Sequence, residues 1–186
     1  MSTITTVFGS KGQGKTAIAT YIAYETYKVK AKDVIVANYK LNFPYTKMDF
    51  ERLEEYKDAL IIFDEAHLYI DCRTSMKKLN RLITYFVFEI RHLHSDLIFI
   101  SQQRSIDARI ENATDAFFFP QMFIWNGVIY RRKIDDDEKV DLIRIKEIDV
   151  AHNRKKTLLL DLRGLDYDLF SLYDSDELVS FSFDIS

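Results

Sequence analysis

The sequence predicts an α/β fold with a mostly parallel central sheet covered by helices on both faces. Short apolar runs recur at Ile4–Phe8, Asp33–Ala37, Ala59–Phe63 and Asp96–Ile100, each the length of a buried strand. Between them lie segments of helical spacing, from Lys15 to about Lys30 and from about Ser75 to His92. Five Gly and two Pro in 186 residues leave no linker or repeat to divide the chain. One domain over residues 1–186 is therefore expected, with a core to about residue 120 and a β-rich extension over about 121–186.

Each element has its own warrant. Ile4–Phe8 ends at Gly9, and the helix that follows carries Ile18, Tyr21, Ile22 and Glu25 at helical spacing. Asp33–Ala37 reads as a second buried strand, and Asp49–Tyr56 as a short helix opening on an acidic cap. Ala59–Phe63 runs directly into Asp64 and Glu65, and Asp96–Ile100 into Ser101, Gln102 and Gln103. In the long second helix, Met76, Leu79, Ile83, Phe86 and Ile90 step by three and four and form one apolar stripe. Met122–Trp125 and Val128–Arg132 flank Asn126-Gly127, a strong hairpin signal, and Val140–Ile148 and Thr157–Leu162 add β-prone runs. Phe117-Phe118-Phe119 continues a buried strand pattern, so these rings and Trp125 are read as core or subunit contact.

Composition narrows the function classes. With 47% hydrophobic and 30% charged residues, disorder is excluded as the main state. The single Cys72 excludes an intramolecular disulfide and a cysteine-rich metal site. The most apolar part of the long helix, Leu82–Ile90, is too short to span a bilayer, and the start MSTITTVFGSKG lacks the layout of a signal peptide. A soluble cytoplasmic protein is expected. The net charge of -3 argues against a uniformly basic nucleic-acid binder, but it sums unlike parts. The first 160 residues hold 25 bases against 22 acids, whereas from Asp161 onward seven acids face Arg163 alone. Local basic surface on the body of the chain is compatible with that balance.

The sharpest chemical signal is GSKGQGKT, from Gly9 through Ser10, Lys11, Gly12, Gln13, Gly14 and Lys15 to Thr16. It satisfies G-x-x-x-x-G-K-[ST] between a strand and a helix, the pattern of an ATP-binding phosphate loop. Backbone N–H groups and the positive helix end cradle the phosphates, Lys15 reaches the β- and γ-phosphates, and Thr16 holds Mg²⁺. Chance would place the four fixed residues in on the order of one chain in a hundred of this length. The P-loop NTPase form of the α/β fold follows.

LIIFDEAH supplies the second part. An apolar strand delivers Asp64 and Glu65 to its carboxyl end, where open α/β sheets bind ligands. Asp64 would hold Mg²⁺ through water, and Glu65 would polarise the attacking water as a general base. Alone, such an acid pair equally suits a helix cap. His67 reads as a packed or hydrogen-bonded residue. In DLIFISQQR, Gln102 ends a strand expected beside both earlier motif strands, an additional strand between them. Its amide suits hydrogen bonding to the γ-phosphate or the lytic water, and Gln103 is the alternate.

These elements, in this order, resemble the additional-strand catalytic-glutamate division of P-loop ATPases. More narrowly they resemble the FtsK–HerA superfamily, which includes viral genome-packaging ATPases and the zonular occludens toxin-like phage assembly proteins. FDEAH, the long helix ending in EIRHLHSDLIFISQQ, then SIDARI and the closing FSLYDSDE, Phe170–Glu177, carry the likeness. The resemblance implies a ring of subunits that moves DNA, in the host cytoplasm or with the virion, beside capsid or portal proteins. The membrane anchor usual after this domain in phage members is not found in the sequence, which favours a soluble motor over a filament-extruding one.

In such rings an arginine from one subunit completes the neighbour's site. Arg91 and Arg81 on the long helix, and Arg104 and Arg109 after the Gln102 strand, are candidates, Arg91 foremost. For DNA phosphates the clusters Arg131-Arg132-Lys133 and Arg154-Lys155-Lys156, the latter expected in a turn, are candidates. Two other functions stay open. A nucleoside kinase also pairs a phosphate loop with an acidic strand end, and a nucleotide-dependent assembly or partition switch is kept in view by Lys11 early in the loop.

Overall fold

A computed structural model describes residues 2–66, 77–102, 108–125, 130–131, 140–150 and 152–174. The elements are β1 (Ile4–Phe8), α1 (Lys15–Lys28), β2 (Val34–Ala37), β3 (Thr46–Lys47), β4 (Ala59–Phe63) and α2 (Lys77–Glu89). After them come β5 (Asp96–Ser101), α3 (Ala108–Ala113), β6 (Ala116–Trp125), β7 (Tyr130–Arg131), β8 (Leu142–Asp149) and β9 (Arg154–Asp161). Short 3-10 turns cover Phe50–Glu55, Leu162–Gly164 and Leu169–Leu172. The first of these is opened by the Asp49 carboxylate, which accepts from Glu51 N, so the acidic cap was legible.

The strands form one sheet in the order β3-β2-β4-β5-β1-β6-β8-β9, with β7 paired to β6. From β3 to β6 all neighbours are parallel, and β8 and β9 extend the sheet antiparallel. The strand that leads into Gln102, β5, thus lies between the phosphate-loop strand and the acid-pair strand, as expected. A parallel sheet needs both faces covered. On one face Phe63, Phe99, Ile61 and Leu97 pack against Ile83 and Phe86 of α2, Ile90 just past it, and Ile110 of α3. On the other, Ile35, Ile62 and Ile98 pack against Ala19 and Ala23 of α1. A third cluster continues this face across the extension, where Ile143 and Ile145 of β8 meet Ala17 and Ile18 of α1 and Leu169 and Leu172 of the closing 3-10 turn.

Several sequence readings change in detail. Phe117, Phe118 and Phe119 belong to a ten-residue strand that passes through Pro120 and ends at Trp125. Phe117 and Phe119 pack on the α2 face and Phe118 on the α1 face, so all three rings join the core. The expected hairpin forms, with Trp125 paired to Tyr130 and Ile124 to Arg131, and Asn126-Gly127 lies outside the described residues. Arg154-Lys155-Lys156 is not a turn: it opens β9, the edge strand, and Lys156 Nζ pairs with Glu147 Oε2 of β8 at 3.1 Å. Charged edge strands resist unwanted pairing with other chains. Among the described residues no helix is long and apolar enough to cross a membrane. The Met76, His67 and Cys72 readings lie outside the described residues, as do the side chains of Leu79 and Trp125.

Phe63 and Phe99 lie side by side at 5.5 Å between ring centroids, and neither is exposed to solvent. Phe99→Ala should cost about 3–5 kcal/mol in urea unfolding, from lost transfer energy and the cavity left behind. Phe88→Ala, on the exposed side of α2 at 61% exposure, should stay within about 0.5 kcal/mol in the same assay.

Candidate nucleotide-binding site

The site is built where β1, β5 and β4 end together. Phe8 leads into the loop Gly9–Gly14, whose last glycine is the N-cap of α1. Gly12 and Gly14 hold φ values of 75° and 87°, a region that favours glycine. Gly14 has a second constraint, because a Cβ there would stand 2.9 Å from Met122 Cγ. No side chain caps α1, and its first turn holds no acid. Its first amides and its positive dipole end are left to meet an anion.

Lys15 is buried, and its Nζ donates to Ser10 O at 3.1 Å, so the side chain curls back over the loop. Burial lowers its pKa, and the carboxylates of Glu65 and Asp64 partly restore it. A phosphate would stabilise the same ammonium. Thr16 Oγ1 donates to Asp64 Oδ2 at 2.8 Å, which brings the two expected Mg²⁺ ligands together across the width of β5. Burial pushes the Asp64 carboxyl up, against the hydrogen bonds from Thr16 and from Glu65 N. A half-buried acid beside a hydroxyl, facing a helix end that welcomes phosphate, fits Mg²⁺, which is commonly held by one or two carboxylates plus substrate phosphates. Among the described residues no group of three His, Cys, Asp or Glu side chains could hold a metal by itself.

Glu65 stands at φ 51°, a left-handed conformation uncommon outside glycine. The turn is secured by Asn38, just past β2. Its Nδ2 donates to Asp64 O at 2.9 Å and its Oδ1 accepts from Asp64 N at 2.7 Å. Gln102 Nε2 donates to Glu65 Oε1 at 2.7 Å, so the residue read as a phosphate sensor touches the residue read as a base. The fold thus brings together Lys15, Thr16, Asp64, Glu65 and Gln102 around a cavity of about 520 Å³ that Lys11, Gly12 and Gly14 also line. Gly9 and Gln13 face the other side of the loop, into a second hollow of about 480 Å³.

Arg91 is not with them. It follows the end of α2 instead of projecting from the helix, and its guanidinium pairs with Asp115 at 3.4 Å. Asp115 in turn accepts from Ile4 N, at the start of β1, so Arg91 lies at the opposite end of the sheet from Lys15. Arg109 lies on α3, while Arg104, Gln103 and the Arg81 side chain fall outside the described residues.

Sequence reasoning missed Asn38, Tyr39, Met122, Phe170, Tyr173 and Asp174. Asn38 had a signal, since polar residues just past neighbouring parallel strands share one edge. Tyr39 is buried, and its hydroxyl shares a hydrogen bond with Thr20 at 2.9 Å. Burial and the nearby Asp64 and Asp168 push the Tyr173 phenol up to about 12. Met122, Phe170, Tyr173 and Asp174 reach the cavity through tertiary packing from beyond residue 120.

Gly14→Ala should abolish nucleotide binding in a filter or calorimetric assay, since it combines a positive φ with a clash at Met122. The raised Asp64 pKa gives stability that is full below the ordinary carboxyl value of 3.8 and is lost as pH rises through the folded value. Asp64→Asn should therefore raise the ligand-free melting temperature at pH 7, by about 2–4 °C per kcal/mol relieved, and abolish further stabilisation by MgATP.

The zonular occludens toxin (Zot) family model matches residues 20–116 of the chain. No curated protein sequence matches it. Among solved structures, it is similar to the N-terminal domain of zonular occludens toxin from Neisseria meningitidis, with 16% identity and a TM-score of 0.62 over 94% of this chain and 100% of that one. It is also similar to the genome-packaging NTPase B204 from Sulfolobus turreted icosahedral virus 2 in complex with ATP-gammaS, with 12% identity, a TM-score of 0.58, and 84% and 96% of the two chains covered. A third similar structure is the flagellar accessory protein FlaH from Methanocaldococcus jannaschii, with 13% identity, a TM-score of 0.56, and 86% and 85% covered. With a family match across half its length and a P-loop NTPase fold throughout, the chain belongs to the zonular occludens toxin family.

Proposed function

We propose that the protein is a MgATP-hydrolysing motor that translocates DNA, working as a ring in viral genome packaging. The observation that carries this reading is the set Lys15, Thr16, Asp64, Glu65 and Gln102 at the carboxyl ends of three adjacent parallel strands. The loop amides and Lys15 would bind the triphosphate, and Thr16 and Asp64 would hold Mg²⁺, whose charge would be supplied to the phosphates. Glu65 takes a proton from the attacking water. Gln102, which holds Glu65 Oε1, would exchange that partner for the γ-phosphate and so report the nucleotide state. The similarity to a packaging NTPase supports the nucleotide chemistry and the choice of DNA as the partner.

Two features support contact with DNA phosphates. Lys146, Lys155 and Lys156 border the hollow that shares Gly9 and Gln13 with the phosphate loop, so a lysine-rich surface adjoins the loop. Arg154 opens the same edge strand, while the side chain of Arg131, like Arg132 and Lys133, lies outside the described residues. Because Arg91 stands at the far end of the sheet, it would serve a neighbouring subunit's site and not its own. Capsid or portal proteins would hold the ring in place.

The family match favours a second reading, an assembly or extrusion ATPase of the zonular occludens toxin type. One assay separates the two. Steady-state ATPase activity should rise on adding double-stranded DNA, and Glu65→Gln should cut turnover about a hundredfold or more while ATP still binds. Turnover indifferent to DNA but raised by a coat protein would replace the packaging reading with the extrusion one.

A further inference from the structure

We propose that the closing strap, residues 162–174, carries the nucleoside subsite, with the base stacked on Phe170 beside Met122 and the ribose hydroxyls accepted by Asp174. The proposal rests on the MgATP reading above and concerns the part of the nucleotide that the phosphate loop does not touch.

The 520 Å³ cavity is lined by three groups of residues. One wall is the loop and the first turn of α1, which takes the triphosphate. A second is Asp64, Glu65 and Gln102, on the metal and water side. Among the described residues, the rest of the lining, a third wall, offers a nucleoside leaving the α-phosphate Tyr39, Met122, Phe170, Tyr173 and Asp174. That wall has the right chemistry. Met122 packs directly on Gly14, where the helix begins, so an apolar surface starts where the phosphates end. Phe170 continues it with a half-buried ring. Every nucleobase has a π face, and aromatic stacking accepts any of them. Asp174 is an acceptor-only group, suited to ribose hydroxyls and repelled by phosphate.

The strap is fastened on both sides of the site. Leu169 and Leu172 are buried in the cluster that holds Ala17 and Ile18 of α1. Tyr167 Oη donates to Glu25 at 2.9 Å, and Lys28 Nζ pairs with Asp166 at 3.1 Å, both partners on α1. Past the turn, Asn42 N donates to Leu172 O at 2.8 Å, Asn42 Nδ2 to Ser171 O at 2.7 Å, and Asp174 N to Lys40 O at 3.3 Å. Tyr173 bridges Leu41 in antiparallel fashion. Phe170 and Asp174 are therefore held in place before any ligand arrives, which lowers the entropy cost of binding. The acidic tail noted in the sequence acquires a use at one of its members.

The test is calorimetric binding of ATP, dATP and inorganic tripolyphosphate, each with Mg²⁺. Phe170→Leu keeps an apolar anchor for the strap but removes the ring. It should weaken ATP about five- to twentyfold and leave tripolyphosphate within about twofold, and Phe170→Tyr should restore ATP. Asp174→Asn should shrink the preference for ATP over dATP. The proposal is overturned if Phe170→Leu binds ATP like the parent, or loses ATP and tripolyphosphate in parallel. If the parent binds neither compound, the MgATP reading itself fails and the subsite with it. Lys15→Ala, which should lose both compounds, marks the loop's share.

Discussion

The hydrogen bond from Thr16 Oγ1 to Asp64 Oδ2, 2.8 Å long, joins two parts of the chain that share no strand pairing. Thr16 begins α1 after β1, Asp64 ends β4, and β5 lies between those strands. The bond forms only if all three are parallel and in register, so that their carboxyl ends open on one edge of the sheet. Ile4 pairs with Leu97 and Leu97 with Ile61, which sets that register through residues buried on the α2 face. Sliding any strand by one residue would turn those side chains to the other face and carry the acid away from the loop.

Burial then sets the electrostatics. Asp64 and Lys15 both lose hydration, and each is held partly by the other's charge. The ligand-free site is thus a set of charged groups waiting for better partners: Lys15 rests on Ser10 O and Glu65 rests on Gln102. A magnesium nucleotide supplies both signs of charge at once. Asn38 keeps the acid turn from relaxing, where Glu65 stands in the left-handed region.

The parallel core was legible because buried strands read as unbroken apolar runs and helices as stripes of three and four. Ala59–Phe63 and its acid pair, and the position of the Gln102 strand, follow from that pattern and the phosphate-loop motif together. Beyond residue 116 the strands at Val140–Ile148 and Thr157–Leu162 were legible as β-prone runs, but not their bounds. There β8 and β9 face the core on one side only, and their charged residues look like turns, as Arg154-Lys155-Lys156 did before it proved to open a strand. The position of Arg91 shows a related limit: helical periodicity says which face a residue occupies, but not where the helix ends or which end of the sheet it reaches.

The local chemistry of the site was written in contiguous residues, because a phosphate loop needs its glycines, lysine and threonine within one turn, and an acid pair needs only a strand before it. Assembling those pieces on one edge, binding Asn38 to Asp64, and swinging Phe170 and Asp174 across α1 required long-range packing. Residues 106 or more positions apart, such as Asp64 and Phe170, meet at one cavity through the burial of Ile143, Leu169 and Leu172, and no local spacing encodes that encounter.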